Sequence, residues 1–295
     1  MDVEFLLRQL VNGIILGSTY SLVALGLTLV FGVLRVINLA QGEFFMAGAF
    51  AALVCINAGL GLPVALAAGM TCAGGLGLAM YWLTLRPLPG DIDPHVPMIG
   101  TMAAAIVIQQ IAARLFSARQ HPYPTPEALS GRIDLGILEI ETLNLFILAI
   151  ALVIMAGLYL LLLHTRFGLA IRAVAENGRN ASLMGINKNS TISIVFAISS
   201  ALAGLAGILV GMYFNNVSPY IGIPIGMKGL AAVILGGLGS MPGALIAGFV
   251  IGIAEVMTVA YLDSSWRDAT AFLVMILILL LRPRGLFGKP AFERA

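Results

Sequence analysis

The chain has 295 residues, 60% of them hydrophobic and only 10% charged, and its mean hydropathy is +1.01. A soluble domain carries about a quarter charged residues, so the composition excludes an ordinary soluble protein and identifies an integral membrane protein. The net charge of +2, with cations scattered through loops instead of along one face, gives no basis for a nucleic-acid partner.

Apolar runs of about 20 residues recur along the chain, each long enough to span a bilayer. They predict one all-α, polytopic helical bundle of about eight transmembrane segments over residues 1–295, with no soluble domain to place. The first run extends from about Leu10 to Phe31, behind Asp2, Glu4 and Arg8 and ahead of Arg35. It is too long for the apolar core of a cleaved signal, and its weak charge asymmetry puts the N-terminus outside. The second, about Leu39–Leu60, carries Glu43 near its start; the third, about Leu62–Leu85, stops at Arg86-Pro87. After a short loop with Asp91, Asp93 and His95 comes the fourth, about Val96–Phe116. The polar segment Ser117–Glu141 then sets Arg119 and Arg132 against Glu127, Asp134, Glu139 and Glu141, without the positive excess of a cytoplasmic loop.

A fifth run, about Thr142–Leu163, leads into a basic loop, about residues 164–190, holding Arg166, Arg172, Arg179 and Lys188 against the one acid Glu176. Such a loop belongs in the cytoplasm. Its apolar residues alternate with charges in a pattern that suits two short helices broken at Asn177-Gly178, with an apolar face that wants a partner. Leu169, Val174, Leu183 and Met184 are the expected anchors, and Gly185 is placed to end the second helix in a left-handed cap. A sixth run, about Thr191–Tyr213, is followed by an uncharged, turn-rich stretch, Asn215–Pro224. The stretch Gly229–Val259 is too long for one ordinary span and is interrupted at Gly236-Gly237-Leu-Gly-Ser-Met-Pro242-Gly243, which predicts a broken or re-entrant helix. Broken backbone survives at membrane depth only where protein or water satisfies it, as at transporter sites. The last run, about Ala269–Leu281 with a start nearer Trp266, ends in Arg282, Arg284 and Lys289, so the C-terminus is expected in the cytoplasm.

Charge at the bilayer centre costs at least about 2.5 kcal/mol on insertion scales, which makes Glu43 and Glu255 candidates for a translocation path. The ordinary alternative is an interfacial acid paired with a nearby cation. Asn12, Thr19 and Tyr20, with Ser18, Ser21 and Thr28, recur along the first run, where interhelical hydrogen bonding is the plainer role. Cys55 and Cys72 lie inside apolar runs and read as small core residues. His95, His121 and His164 stand singly and make no metal constellation; no catalytic triad is suggested. Gly285-Leu-Phe-Gly288-Lys289 lacks the phosphate-loop spacing, so the chain is expected to bind no ATP or other cofactor itself.

Three groups of residues carry a resemblance that covers nearly the whole chain. Asn12-Gly13-x3-Gly17-Ser-Thr-Tyr-Ser-Leu-x-Ala24-x-Gly26 with Ile37-Asn-Leu-Ala-Gln-Gly42-Glu43 forms the first. Ala175-Glu176-Asn177 with Ala181-Ser-Leu-Met-Gly185-Ile-Asn187 forms the second, and Pro219-Tyr-Ile-Gly222, Gly226-Met-Lys228 and Ala232-Val-Ile-Leu-Gly236-Gly-Leu-Gly-Ser-Met-Pro242 the third. The sequence resembles LivH-type inner-membrane permeases of branched-chain amino acid ABC importers. Glu176 is followed by Asn177-Gly178 where the wider importer-permease loop has two alanines.

The resemblance implies a non-catalytic permease subunit in a bacterial inner membrane. Its implied partners are a second, LivM-like permease, two ATP-binding-cassette ATPase subunits and a periplasmic binding protein that delivers a branched-chain or related hydrophobic amino acid. ATP would be used by those partners, and residues 164–190 would couple to them. The alternative from another class is a stand-alone secondary amino-acid carrier or channel, which would use Glu43 and Glu255 for ion coupling and need no motor. A membrane scaffold or enzyme subunit is a further alternative.

Overall fold

A computed structural model of the chain describes residues 3–89, 93, 95–126, 129–134 and 139–288; Asp2, Asp91, Glu127 and Lys289 lie outside them. Without water to serve the backbone, apolar runs close their hydrogen bonds internally as helices. Ten form among the described residues: α1 (Val3–Leu34), α2 (Gln41–Asn57), α3 (Leu62–Met80), α4 (His95–Phe116), α5 (Thr142–His164), α6 (Arg166–Leu183), α7 (Lys188–Phe214), α8 (Gly222–Gly236), α9 (Met241–Tyr261) and α10 (Arg267–Leu281). A wide π-type turn, Tyr81–Leu85, extends α3 up to Arg86-Pro87. Seven helices are long and apolar enough to cross a membrane, and α2 and α8 are apolar but shorter. The expected polytopic helical bundle is therefore what forms, with a similar count of spans.

The boundaries differ where local sequence misleads. The first helix is longer than its apolar run at both ends. At 17 residues, α2 is about 25 Å long at 1.5 Å per residue, short of the roughly 30 Å hydrocarbon core. The helix before the break starts at Gly222, inside the stretch expected to be loop. Pro224 sits in its first turn, where a missing N–H leaves no helix bond unmade.

α1 and α7 form the buried centre. Phe5 meets Tyr261 edge-on, with ring centroids 5.8 Å apart, while the Ser21 hydroxyl donates to the Leu245 carbonyl at 2.7 Å. α1 and α9 are thus antiparallel neighbours. α7 packs on α1, α2 and α3, and small residues let these backbones meet closely. The outer helices α4, α5 and α10 expose Ile106, Leu115, Val153, Tyr159, Leu277 and Leu280, a rim that lipid or another apolar surface must cover.

The polar segments gather into two short ladders. β1 (His121–Pro122) pairs antiparallel with β4 (Asn216–Val217), which ties the segment after α4 to the one after α7. β2 (Arg132–Asp134) pairs with β3 (Glu139–Glu141).

The expected break lies between α8 and α9. Gly237 has φ +100, a conformation that side chains other than glycine rarely adopt. The carbonyls that the break frees find donors in the segment after α10: Leu286 N–H donates to Leu235 at 2.8 Å and Phe287 N–H to Gly236 at 3.0 Å. Ser240 caps α9 by accepting from Gly243 N–H at 3.3 Å.

Candidate translocation and coupling sites

Glu255, on α9, has no solvent exposure. α1 brings Tyr20 to it, and the phenol donates to the carboxylate at 2.9 Å to one oxygen and 3.1 Å to the other. α8 brings Lys228, whose ammonium donates to Glu255 at 2.8 Å and lies 3.4 Å from the Tyr20 hydroxyl. α10 supplies Arg267, with Nε 3.0 Å from Glu255 Oε1 but without hydrogen-bond geometry, and Asp268, 2.8 Å from Lys228. The Arg267 guanidinium also covers the Phe214 ring at 4.7 Å. Two cations and two acids compensate one another, so the cluster staples α1, α8, α9 and α10 together. Removing one partner of such a buried pair typically costs about 3–5 kcal/mol. Glu255 is interior and faces two cations, Lys228 and Arg267.

Glu43 sits in the first turn of α2, where the helix dipole favours negative charge. It is buried, and its Oε2 has no hydrogen-bond partner among the described residues. It lines a cavity of about 190 Å³ between α1, α2, α4 and α8, together with Asn38, Gln41, Gln109, Met102 and Met227. Gln109, also buried, likewise leaves its amide nitrogen unpartnered there. Gln41 is anchored instead: its amide donates to the Ser199 carbonyl at 3.0 Å, and Ser199 donates to the Gly26 carbonyl at 2.7 Å. The cavity floor depends on close backbone approach, because a Cβ on Gly42 would come within 2.0 Å of the Gly222 carbonyl oxygen.

The other expected path residues separate. Thr19 is buried and donates to the Leu16 carbonyl within its own helix at 2.7 Å. Asn12 is half-buried and lines a polar recess of about 480 Å³ with Arg8, Arg132, Glu139, Glu141 and Asn144. Gly236 packs against the backbone of Gly243 across the break, and Gly237 against Gly288.

α6 carries the basic loop as an amphipathic helix with a kink. Thr165 caps it by accepting from Gly168 N–H at 3.0 Å. Arg172 reaches back to donate to the Leu162 carbonyl at the end of α5, at 2.8 Å. The helix breaks at Asn177, which leaves helical geometry (φ −155, ψ 101) and caps the second half by accepting from the N–H groups of Arg179 and Asn180. Gly185, at φ +84, closes it: Gly185 N–H donates to Ser182 and Ile186 N–H to Ala181, the paired bonds of a glycine-terminated helix. Leu169, Leu183 and Met184 stand exposed, the last two at 81% and 86%, and Glu176 is exposed as well. Val174 is different. At 3% exposure it is buried with Ile171 and Ala181 in the chain's own core, because the helix has two apolar faces and its own bundle takes that one.

Lys228, Arg267, Asp268 and Gln109 are the site residues that sequence reasoning passes over. For Lys228 a signal existed, since it interrupts an apolar stretch as Glu255 does. Asp268 and Arg267 look like ordinary interfacial charges until the fold brings α10 beside α9.

This arrangement has known counterparts. The family model described as "Branched-chain amino acid transport system / permease component" matches residues 9–279. The high-affinity branched-chain amino acid permease protein BraD of Pseudomonas aeruginosa is 33% identical over 305 residues, covering 99% of each chain. LivH of Escherichia coli K12 is 34% identical over 310 residues and 100% of each. Among solved structures, a chain of PsaBC from Streptococcus pneumoniae in complex with Fab aligns with a TM-score of 0.52 at 13% identity, covering 92% of this chain and 91% of that one, a likeness of fold alone. With its helical bundle, its broken helix and a match along almost its whole length, the chain belongs to the permease-component family of branched-chain amino acid transport systems.

Proposed function

We propose that this chain is the non-catalytic, membrane-spanning subunit of an ABC importer that moves branched-chain or related hydrophobic amino acids across a bacterial inner membrane. A binding protein delivers the substrate, a second, LivM-like permease completes the path, and two ATPase subunits supply the energy. The named relatives, matched end to end, support the substrate class.

The observation that carries the motor-coupled reading is α6. A helix outside the apolar spans, with Leu183 and Met184 almost fully exposed and Glu176 exposed on the same helix, has the composition of a segment laid in a partner's groove. Orientation follows from charge. Arg35, Arg86 and Lys188 meet around one recess at the α6 end of the bundle, whereas the recess near Asn12 mixes Arg8 and Arg132 with Glu139 and Glu141. By the positive-inside rule the α6 end is cytoplasmic, the N-terminus periplasmic and the C-terminus cytoplasmic.

The test is to purify the complex carrying Leu183→Asp with Met184→Asp, or Glu176→Arg. ATPase retention and uptake into vesicles should both fall by tenfold or more, while insertion and pairing with the second permease persist. Wild-type retention and uptake in both variants would remove the coupling assignment and leave a stand-alone carrier.

A further inference from the structure

The cavity at Glu43 has a composition that selects a ligand. Its volume of about 190 Å³ is far more than the roughly 10–15 Å³ that one water needs. Most of its wall is carbon, from Leu27, Met102, Ile106, Met227 and Leu230. Four polar side chains break that wall: Asn38 and Gln41 are hydrogen-bonded, whereas the Glu43 carboxyl and the Gln109 amide are buried and each has an atom lacking a partner among the described residues. A buried polar atom without a partner is costly, and an acid inside a membrane protein usually finds a cation on its own chain, as Glu255 does. Among the described residues no ion pair forms at Glu43.

The starts of α2 and α8 meet at the same place, with Gly42 against Gly222, and neither helix has a side-chain cap. Their first-turn N–H groups add positive potential beside the carboxyl. Calcium and magnesium want six or more oxygen ligands, and zinc a set of Cys, His or carboxylate ligands; one carboxyl in an apolar wall provides neither, and no group of three or more His, Cys, Asp or Glu gathers among the described residues. A zwitterion with an alkyl tail fits every feature.

We propose that the Glu43 cavity is the subsite on the translocation path that receives the ammonium of an apolar α-amino acid, a reading that rests on the permease function above. The ammonium lies against Glu43 Oε2, the substrate carboxylate is directed to the Gln109 amide and the helix starts, and the alkyl group lies on Met102, Ile106 and Met227. These three side chains are exposed where the cavity opens between α4 and α8, on the outer face that the second permease would cover.

The experiment uses the whole complex in vesicles with its binding protein and radiolabelled leucine. Leucine uptake by the wild-type complex is the control; its absence would count against the transport reading itself and is distinct from any result below. With Glu43→Gln, uptake should drop at least tenfold while leucine-loaded binding protein still stimulates ATP hydrolysis to within twofold of wild type, and Glu43→Asp should retain more uptake than Glu43→Gln. Unchanged uptake in Glu43→Gln overturns the proposal, as does equal loss of uptake and stimulated hydrolysis in both variants, which marks a structural carboxyl. A second readout is thiol labelling of Met102→Cys in a chain with Cys55→Ser and Cys72→Ser. Leucine during turnover should slow labelling, and adding Glu43→Gln should abolish that protection; protection that survives Glu43→Gln also overturns the assignment.

Discussion

Glu255 accepts from Tyr20, pairs with Lys228 at 2.8 Å and lies 3.0 Å from Arg267, whereas Glu43, also buried, has no partner at Oε2 among the described residues and lies beside a cavity. Both are acids on apolar helices, and from sequence both are candidates for a path. The difference separates two uses of buried charge. A carboxylate compensated by its own chain holds helices in place, and its free energy goes into the fold. One left uncompensated destabilises the resting protein and holds that interaction in reserve for something that arrives.

The largest effect that can break this contrast is at the compensated acid. Lys228→Met leaves Glu255 with Arg267 as its only cation, beside the Tyr20 phenol, and should lower stability by about 3–5 kcal/mol, read as a fall in unfolding temperature in detergent. Combining it with Glu255→Gln should recover most of that loss, because no buried acid then remains without its cation and Asp268, the other partner of Lys228, is exposed to solvent. A single variant as stable as wild type would mean that the cluster is not what joins α8 to α9 and α10. Gly42→Ala should come next. Its Cβ would meet the Gly222 carbonyl oxygen at 2.0 Å, backbone that cannot swing aside, so a loss of about 1–3 kcal/mol is expected from overpacking. An unchanged unfolding temperature would show that α2 and α8 are free to separate at the Glu43 cavity. The smallest effect belongs to Glu43→Gln, which removes a buried ionisable group that has no partner at Oε2. Stability should stay within about 1 kcal/mol of wild type or rise slightly, and a loss as large as that of Lys228→Met would erase the distinction between the two acids.

Features that depend on a few adjacent residues were legible in the sequence. Composition identified the bundle, and the apolar runs located most spans to within a few residues. Asn177 and Gly185 were readable because an asparagine caps, and a glycine terminates, a helix through bonds to its own neighbours. The break at Gly236–Pro242 was readable for a similar reason. The start of α8 was not, since a proline in a first turn and a proline in a loop look alike until the following helix finds something to pack on.

Sequence alone therefore determined which segments enter the membrane, where they break and which loop carries the positive charge, since each follows from transfer energy and local backbone preference. Only the tertiary structure decided what each polar residue does there. Lys228 reaches a phenol 208 positions away, Val174 turns to the core while Leu183 faces out, and Glu43 meets a glutamine from another helix across a cavity. Burial and electrostatic pairing depend on distances through space, and a one-dimensional pattern of hydropathy fixes which face of a helix is apolar without fixing what comes to lie against it.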